Sequence, residues 1–196
     1  MGTVIVADEQ TAGRGRLART WETPPGSGLA VSLVVQPRRL LSLLVGVAAA
    51  EACGHEVRLK WPNDLLRDGR KVGGILVEAK PGRAVVGLGI NLKWAPPGAA
   101  FVEVDRDELL TRLLNRAEAW LRASDDEVLE RWRQLADTLG ARVTVSLPGR
   151  VIEGVADDID ADGSLVVAGE RVSAGDVIHV SLRKRAEGGP RRTGHG

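Results

Sequence analysis

Three arginines, Arg14, Arg16 and Arg19, sit among two glycines in the stretch QTAGRGRLARTW at residues 10–21. A guanidinium makes paired hydrogen bonds to phosphate or carboxylate, and glycine lets the backbone come close, so this stretch can close on an anion. An ordinary basic turn would use the same residues. KWPNDLL, residues 60–66, gathers Lys60, Asn63 and Asp64 around a rigid Trp-Pro; its plainer reading makes Trp61 a core residue and Asp64 a turn former. RKVGGILVE, residues 70–78, sets Lys71 ahead of Gly73 and Gly74 on an otherwise apolar strand. Two glycines weaken a strand unless a flat ligand lies against the bare backbone, or a β-bulge needs them. GLGINL, residues 87–92, repeats the theme with Gly87, Gly89 and a polar Asn91. Strands of small residues, each ending in a polar or charged group, point to a narrow slot for a ligand with an apolar body.

The elements that must carry these residues follow from pattern and punctuation. Thr3–Ala7 reads as a buried strand and Leu29–Val35 as a second. Residues 39–53, rich in Leu and Ala and closed by Gly54, suit a core helix with a glycine stop. Val57–Lys60 is a short strand ended by Pro62. Residues 71–80 and 83–92 form a hairpin about Pro81-Gly82. Residues 106–122 have helical periodicity, and Ser124-Asp-Asp-Glu127 is a capping box opening a helix expected to run to Gly140. From Arg142 the texture changes to short strands between Pro-Gly, Asp-Gly and Gly-Glu turns, the pattern of a small barrel-like domain. The reading therefore divides the chain into 1–139, 140–183, and a tail at 184–196 with no apolar face, expected to be disordered. The tail's basic residues suit either an acidic partner or plain solvation.

Composition narrows the function classes. The 196 residues are 43% hydrophobic and 27% charged with a net charge of +1, so charge alone implies no affinity for nucleic acid or acidic membrane. Cys53 is the sole cysteine, which rules out an internal disulfide and a cysteine-based zinc site. His55, His179 and His195 have no metal-ligand spacing. The apolar run near residues 40–50 is too short to span a bilayer and no signal peptide is read, so a cytoplasmic protein is expected. Gly13-x-Gly15-x-x-Ala18 formally matches a dinucleotide fingerprint, but the prolines and glycines of 24–28 forbid the helix that motif requires. No Gly-x-x-x-x-Gly-Lys-Ser/Thr pattern is present, which excludes a P-loop.

ADEQTAGRGRLARTW, KWPNDLL, KVGGILVE and GLGINL, in that order and spacing, resemble the biotin–protein ligases, the biotin–[acetyl-CoA-carboxylase] ligases. The likeness is strong from Thr3 to Leu92 and weaker through the helices and C-terminal strands. It implies an α+β fold: a mixed-sheet catalytic domain like that of class II aminoacyl-tRNA synthetases, followed by an SH3-like β domain. It implies an enzyme that makes biotinyl-5′-AMP from biotin and ATP, with Mg²⁺, and passes biotin to one lysine of a biotin carboxyl carrier protein. No nucleic-acid or membrane partner is implied, and the family includes both monomers and homodimers.

By that resemblance Lys71 bridges the biotin carboxylate and the α-phosphate, while Arg16 and Arg14 clamp the ligand from a closing loop. Gln10 and the backbone of Arg14 and Gly15 read the ureido ring, with Gly13, Gly73 and Gly74 leaving room for ligand. Trp21 covers the adenylate. Lys60, Asn63 and Asn91 fall near the nucleotide, the two asparagines near its Mg²⁺, with no metal cage made by protein. Asp64 orients or deprotonates the incoming lysine amine. Two departures stand out: a preceding strand and helix with a Ser-Thr-Asn motif has no counterpart in this sequence, and residues 92–105 diverge where the family has an adenylate-covering loop. No helix-turn-helix is readable. The alternatives are a non-catalytic homologue that binds biotin or adenylate, and a lipoate-type acyl ligase, for which Cys53 is poorly placed.

Overall fold

The computed structural model describes residues 2–179. The expected disordered tail lies outside the described residues. The chain is α+β. Six strands form the main sheet: β1 (Val4–Ala7), β4 (Gly28–Val35), β8 (Arg83–Asn91), β7 (Arg70–Lys80), β6 (Asp64–Arg67) and β5 (Val57–Lys60), in that order across it. Their ladders are antiparallel, and one isolated parallel bridge joins Leu59 to Ala136. The β7–β8 hairpin turns at Pro81-Gly82, where Gly82 takes φ +78.

Helix α1 (Leu41–Cys53) is apolar all round, and accordingly nearly every residue of it is buried, between the sheet and the other helices. At Gly46, α1 packs on Leu59 and Ile75. Helix α2 (Arg106–Arg122) buries Leu109, Leu113 and Ala117 at four-residue spacing, and Asp105 caps it by accepting from the backbone of Asp107 and Glu108. Helix α3 (Asp125–Leu135) opens with the full capping box between Ser124 and Glu127. Glu51, on α1 and only 13% exposed, ties the three helices, accepting from Trp120 Nε1 at 3.1 Å and Arg131 Nε at 2.8 Å.

Beyond α3, β9 (Arg142–Leu147), β10 (Arg150–Ile159), β11 (Leu165–Val167), β12 (Glu170–Val172) and β13 (Asp176–His179) make a five-stranded sheet ordered β12-β11-β10-β9-β13. Its buried Val143, Val145, Ile159 and Leu165 continue the main hydrophobic core. Two local expectations need correction. The strand at the amino end is not buried: β1 is a sheet edge with β4 as its one neighbour, and Ile5 is 57% exposed. Helix α3 does not reach Gly140: it stops at Leu135, Ala136 is extended, and Gly140 takes φ +77 in a following turn.

Candidate functional site

The strand registers place one residue from each strand of the main sheet in a single transverse row. From β1 to β5 the row reads Ala7, Ala30, Gly89, Gly74, Asp64, Lys60. Directly paired residues share a face, so the row is a trough of small residues ending in a carboxylate and an ammonium. The adjacent row, Ile5, Ser32, Gly87, Leu76, widens its floor. The cleft above has a volume of about 280 Å³ and opens into an outer groove of about 1010 Å³. An apolar body with an anionic end fits this arrangement.

Lys71 reaches the cleft through a register shift. Between β6 and β7, Leu65 pairs with Gly73 while Leu66 pairs with Lys71, so Val72 is the extra residue of a bulge. A bulge re-aims side chains, and here it turns Lys71 onto the face of Gly74 and Asp64. The Lys71 Nζ lies 2.6 Å from Asp64 Oδ1 and 5.7 Å from the Trp21 ring centroid. A Cβ on Gly74 would stand 3.3 Å from that Nζ, so the bare backbone makes room for the ammonium. Both sequence explanations for the two glycines therefore apply in part, because the bulge exists and Gly74 borders the cleft. Gly73 does not. It faces the core, where a Cβ would meet Leu65 Cδ1 at 2.9 Å and Gly89 O at 2.8 Å.

The arginine stretch is not a free glycine loop. Gln10–Arg14 forms β2 and Thr20–Thr23 forms β3, an antiparallel ribbon joined by one 3₁₀ turn at Arg16–Ala18. Gly13 is required where the two strands cross, since a Cβ would lie 2.2 Å from Trp21 O. Trp21 covers Gly89 so closely that a Cβ there would sit 2.4 Å from its Cε2 and Nε1. Its Nε1 donates to Thr23 Oγ1 at 3.0 Å, and that hydroxyl donates to Gln10 Oε1 at 3.3 Å. Gly89 is thus a seat for the indole, whereas Gly87, with no side chain nearer than 4.0 Å, is open to the cleft. Arg14 pairs with Glu78 at 3.3 Å, and Arg16 donates to Asn63 Oδ1 at 3.1 Å. The backbone N–H of Gly15 donates to Arg19 O at 2.7 Å.

The KWPN corner divides as its chemistry requires. Trp61 is core, with Nε1 donating to Gly163 O at 3.0 Å and its backbone N–H to Thr138 Oγ1 at 2.9 Å. Asn63 lines the cleft and donates through Nδ2 to Ile75 O at 2.8 Å. Asn91 shares the face of Gly87 and Gly89, yet it does not reach the cleft. It is buried beneath the segment after β8, its Nδ2 donating to Ala100 O at 3.0 Å. Asn63 Oδ1 accepts from Arg16 and Asn91 is buried, so in this arrangement neither amide oxygen stands free in the cleft. Among the described residues no group of three or more His, Cys, Asp or Glu could hold a metal.

The C-terminal sheet supplies groups that sequence reasoning missed. Asp176 and Val177 line the cleft, and Asp162, Gly163 and Ser173 line the outer groove. Asp176 forms an ion pair with Arg19, and Gly175 O accepts from Arg16 at 3.4 Å. His179 Nδ1 is 3.4 Å from Asp137; burial, with the Lys60 charge nearby, holds the imidazole below its ordinary pKa against the pull of that carboxylate. Cys53 is the buried last residue of α1, where burial pushes its thiol up to about 12, far from the range of a nucleophile. Among the described residues no helix is long and apolar enough to cross a membrane.

Residues 1–94 match the biotin/lipoate A/B protein ligase family, and residues 138–180 match the biotin protein ligase C terminal domain. The chain is 36% identical to the biotin–[acetyl-CoA-carboxylase] ligase of Mycobacterium tuberculosis over 211 residues, covering 91% of this chain and 79% of that protein. It is 33% identical to the enzyme of the same name from Paracoccus denitrificans, covering 84% and 83%. The structure of a biotin protein ligase from Aquifex aeolicus in complex with biotin and ATP superposes with a TM-score of 0.81 at 28% identity, covering 91% of this chain and 90% of that one.

Proposed function

From the premise that the chain belongs to the biotin protein ligase family, and is a biotin–[acetyl-CoA-carboxylase] ligase, we propose how its cleft performs the reaction. Biotin lies over the open row of Ser32, Gly87 and Leu76, beside the indole seated on Gly89, with its bicyclic ring toward the ribbon and its carboxylate toward Lys71. ATP lies across the outer groove. A carboxylate oxygen attacks the α-phosphorus, the bond to pyrophosphate breaks, and biotinyl-5′-AMP forms. The lysine amine of a biotin carboxyl carrier domain then attacks the acyl carbon; it loses its proton, and AMP leaves.

Two anions must meet in the first step, so positioning and charge neutralisation carry most of the catalysis. Lys71 is the point charge at which the carboxylate and α-phosphate converge. The observation that carries this reading is the bulge that aims Lys71 beside Asp64 at the polar end of a row of small residues. At 2.6 Å from an ammonium, Asp64 is better suited to aligning Lys71 than to removing a proton from the acceptor amine. Arg14 and Arg16 close from the ribbon, Gln10 meets the biotin ring, Trp21 covers the adenylate, and Lys60 and Asn63 complete the nucleotide side. A shut ribbon protects the mixed anhydride from water until transfer.

The test is the intact mass of a carrier domain after incubation with the protein, ATP, Mg²⁺ and biotin. The expected result is the mass of one added biotin, abolished in Lys71→Ala and strongly reduced in Arg16→Ala. Full activity in Lys71→Ala would refute the assignment. Binding of biotin with no transfer to any carrier would favour a homologue that has lost catalysis.

A further inference from the structure

The tip of the arginine ribbon is held under strain by a distant part of the chain. Leu17 and Ala18 take φ +54 and +57, a left-handed conformation unfavourable for residues with a Cβ, and Leu17 is 70% exposed. Packing does not hold so exposed a tip, so its restraints are polar. Arg16 donates to Asn63 and to Gly175 O, and the Arg19 guanidinium engages both carboxylate oxygens of Asp176. Gly175 and Asp176 are firmly seated in turn. Asp176 begins β13 opposite Ser146 of β9, and a Cβ on Gly175 would meet Val145 Cγ1 at 2.8 Å. The exposed tip therefore leans on a closely packed corner of the C-terminal sheet.

We propose that Asp176 is a positioning residue for the ligase reaction: through Arg19 it is the catch that holds the arginine tip down over the cleft. The inference rests on the cleft being the ligase site. It gives the C-terminal sheet a definite task, which is to set how often the lid stands open. Asp176 touches no reacting atom in this scheme. It acts on the lid, which opens when the Arg19 guanidinium leaves the carboxylate.

Trypsin reads the opening directly, because it cleaves after arginine and the tip carries Arg14, Arg16 and Arg19. With the full chain and no substrates, Asp176→Asn should raise nicking at these bonds about two- to fivefold, the range expected for loss of an exposed ion pair. Asp176→Glu, which keeps the charge, should restore slow nicking. In the complete reaction, Asp176→Asn should raise the AMP released per biotin attached by a similar factor, since an open lid lets water reach the adenylate. A merely structural role would lower Tm and expose cleavage sites along the whole chain. That pattern would overturn the proposal, as would unchanged nicking or a Glu variant nicked as fast as the Asn variant. An AMP-to-biotin ratio held at the wild-type value while tip nicking rises would overturn the role in the reaction. The proteolysis arm needs no substrate, so its outcome stands apart from the ligase reading of the cleft.

Discussion

Gly89→Ala and Gly87→Ala each add one methyl to the same face of β8, and they should fail in different ways. At Gly89 the new Cβ would lie 2.4 Å from Trp21 Cε2 and Nε1 and 2.8 Å from Cζ2. Carbon contacts settle near about 3.5–4.0 Å, so the indole must retreat by about 1 Å or more. Overpacking of this kind costs about 1–3 kcal/mol. Trp21 sits on a two-stranded ribbon, which can swing outward without disturbing the six-stranded sheet. That relief keeps the total near the low end, about 1–2 kcal/mol. For a chain of this size it is a Tm drop of about 2–8 °C. Activity should suffer more, because a displacement of about 1 Å in a catalytic site costs about a hundredfold in rate.

At Gly87 the nearest neighbour is Leu76 O at 3.7 Å, an ordinary contact, so Tm should hold. The methyl instead stands in the cleft, where one carbon is worth about 10- to 200-fold in discrimination, and the KM for biotin should rise within that range. Calorimetric melts and initial rates of carrier biotinylation across biotin concentrations separate the two variants. Wild-type kcat/KM in Gly89→Ala would show that Trp21 has no part in the site. An unchanged biotin KM in Gly87→Ala would show that the trough is not the biotin subsite, and would refute the reasoning.

Other outcomes follow from the same geometry. With its thiol pushed up to about 12 and buried, Cys53 should be silent to a thiol reagent near pH 8 and titrate as one group after unfolding. Ser124→Ala removes the hydroxyl half of the α3 capping box and leaves the backbone N–H of residue 124 bonded to Glu127, so it should cost about 1 kcal/mol, seen as a Tm drop of about 2–4 °C; an unchanged melt would mean that the hydroxyl adds nothing to α3. His179 is held below its ordinary pKa, so the folded chain resists protonation that the unfolded chain accepts. Its contribution to stability is therefore whole above about pH 6.5 and is lost as pH falls from there through the lower folded value. His179→Gln should flatten the fall in urea midpoint across that window, and a slope identical to wild type would contradict the assignment.

The chemistry was legible in the sequence because it is carried by short motifs in which residue type and spacing already imply a role. Lys71 beside two glycines, Asp64 after Trp-Pro-Asn and the arginines around Gly13 and Gly15 all come to one cleft. The meaning of individual glycines was not legible. Gly73, Gly74, Gly87 and Gly89 look alike in sequence, yet one packs on the core, one clears Lys71, one faces the cleft and one seats an indole. Only register distinguishes them, and register depends on a strand order that inserts β4 beside β8 and on one extra residue at Val72. Asn91 illustrates the same point, since it shares the face of Gly87 and Gly89 yet lies buried beneath the segment after β8.

The C-terminal contribution left no local signal at all, because Arg19 and Asp176 stand 157 positions apart and nothing in SAGDVIH marks a partner. The division has a physical logic. The floor of the site is built from paired strands backed by a dry core, where each misfit costs several contacts at once and the geometry stays fixed. The rim is built from solvent-exposed ion pairs, Arg14 with Glu78 and Arg19 with Asp176, each of the kind worth about 1 kcal/mol or less. A pair that weak is a poor source of fold stability and a good latch, since thermal motion breaks it without disturbing the floor. A ligase needs both properties in sequence: water kept away from a reactive anhydride, then a protein-borne amine admitted to it. Strengthening the rim into a buried network would serve the first need at the expense of the second.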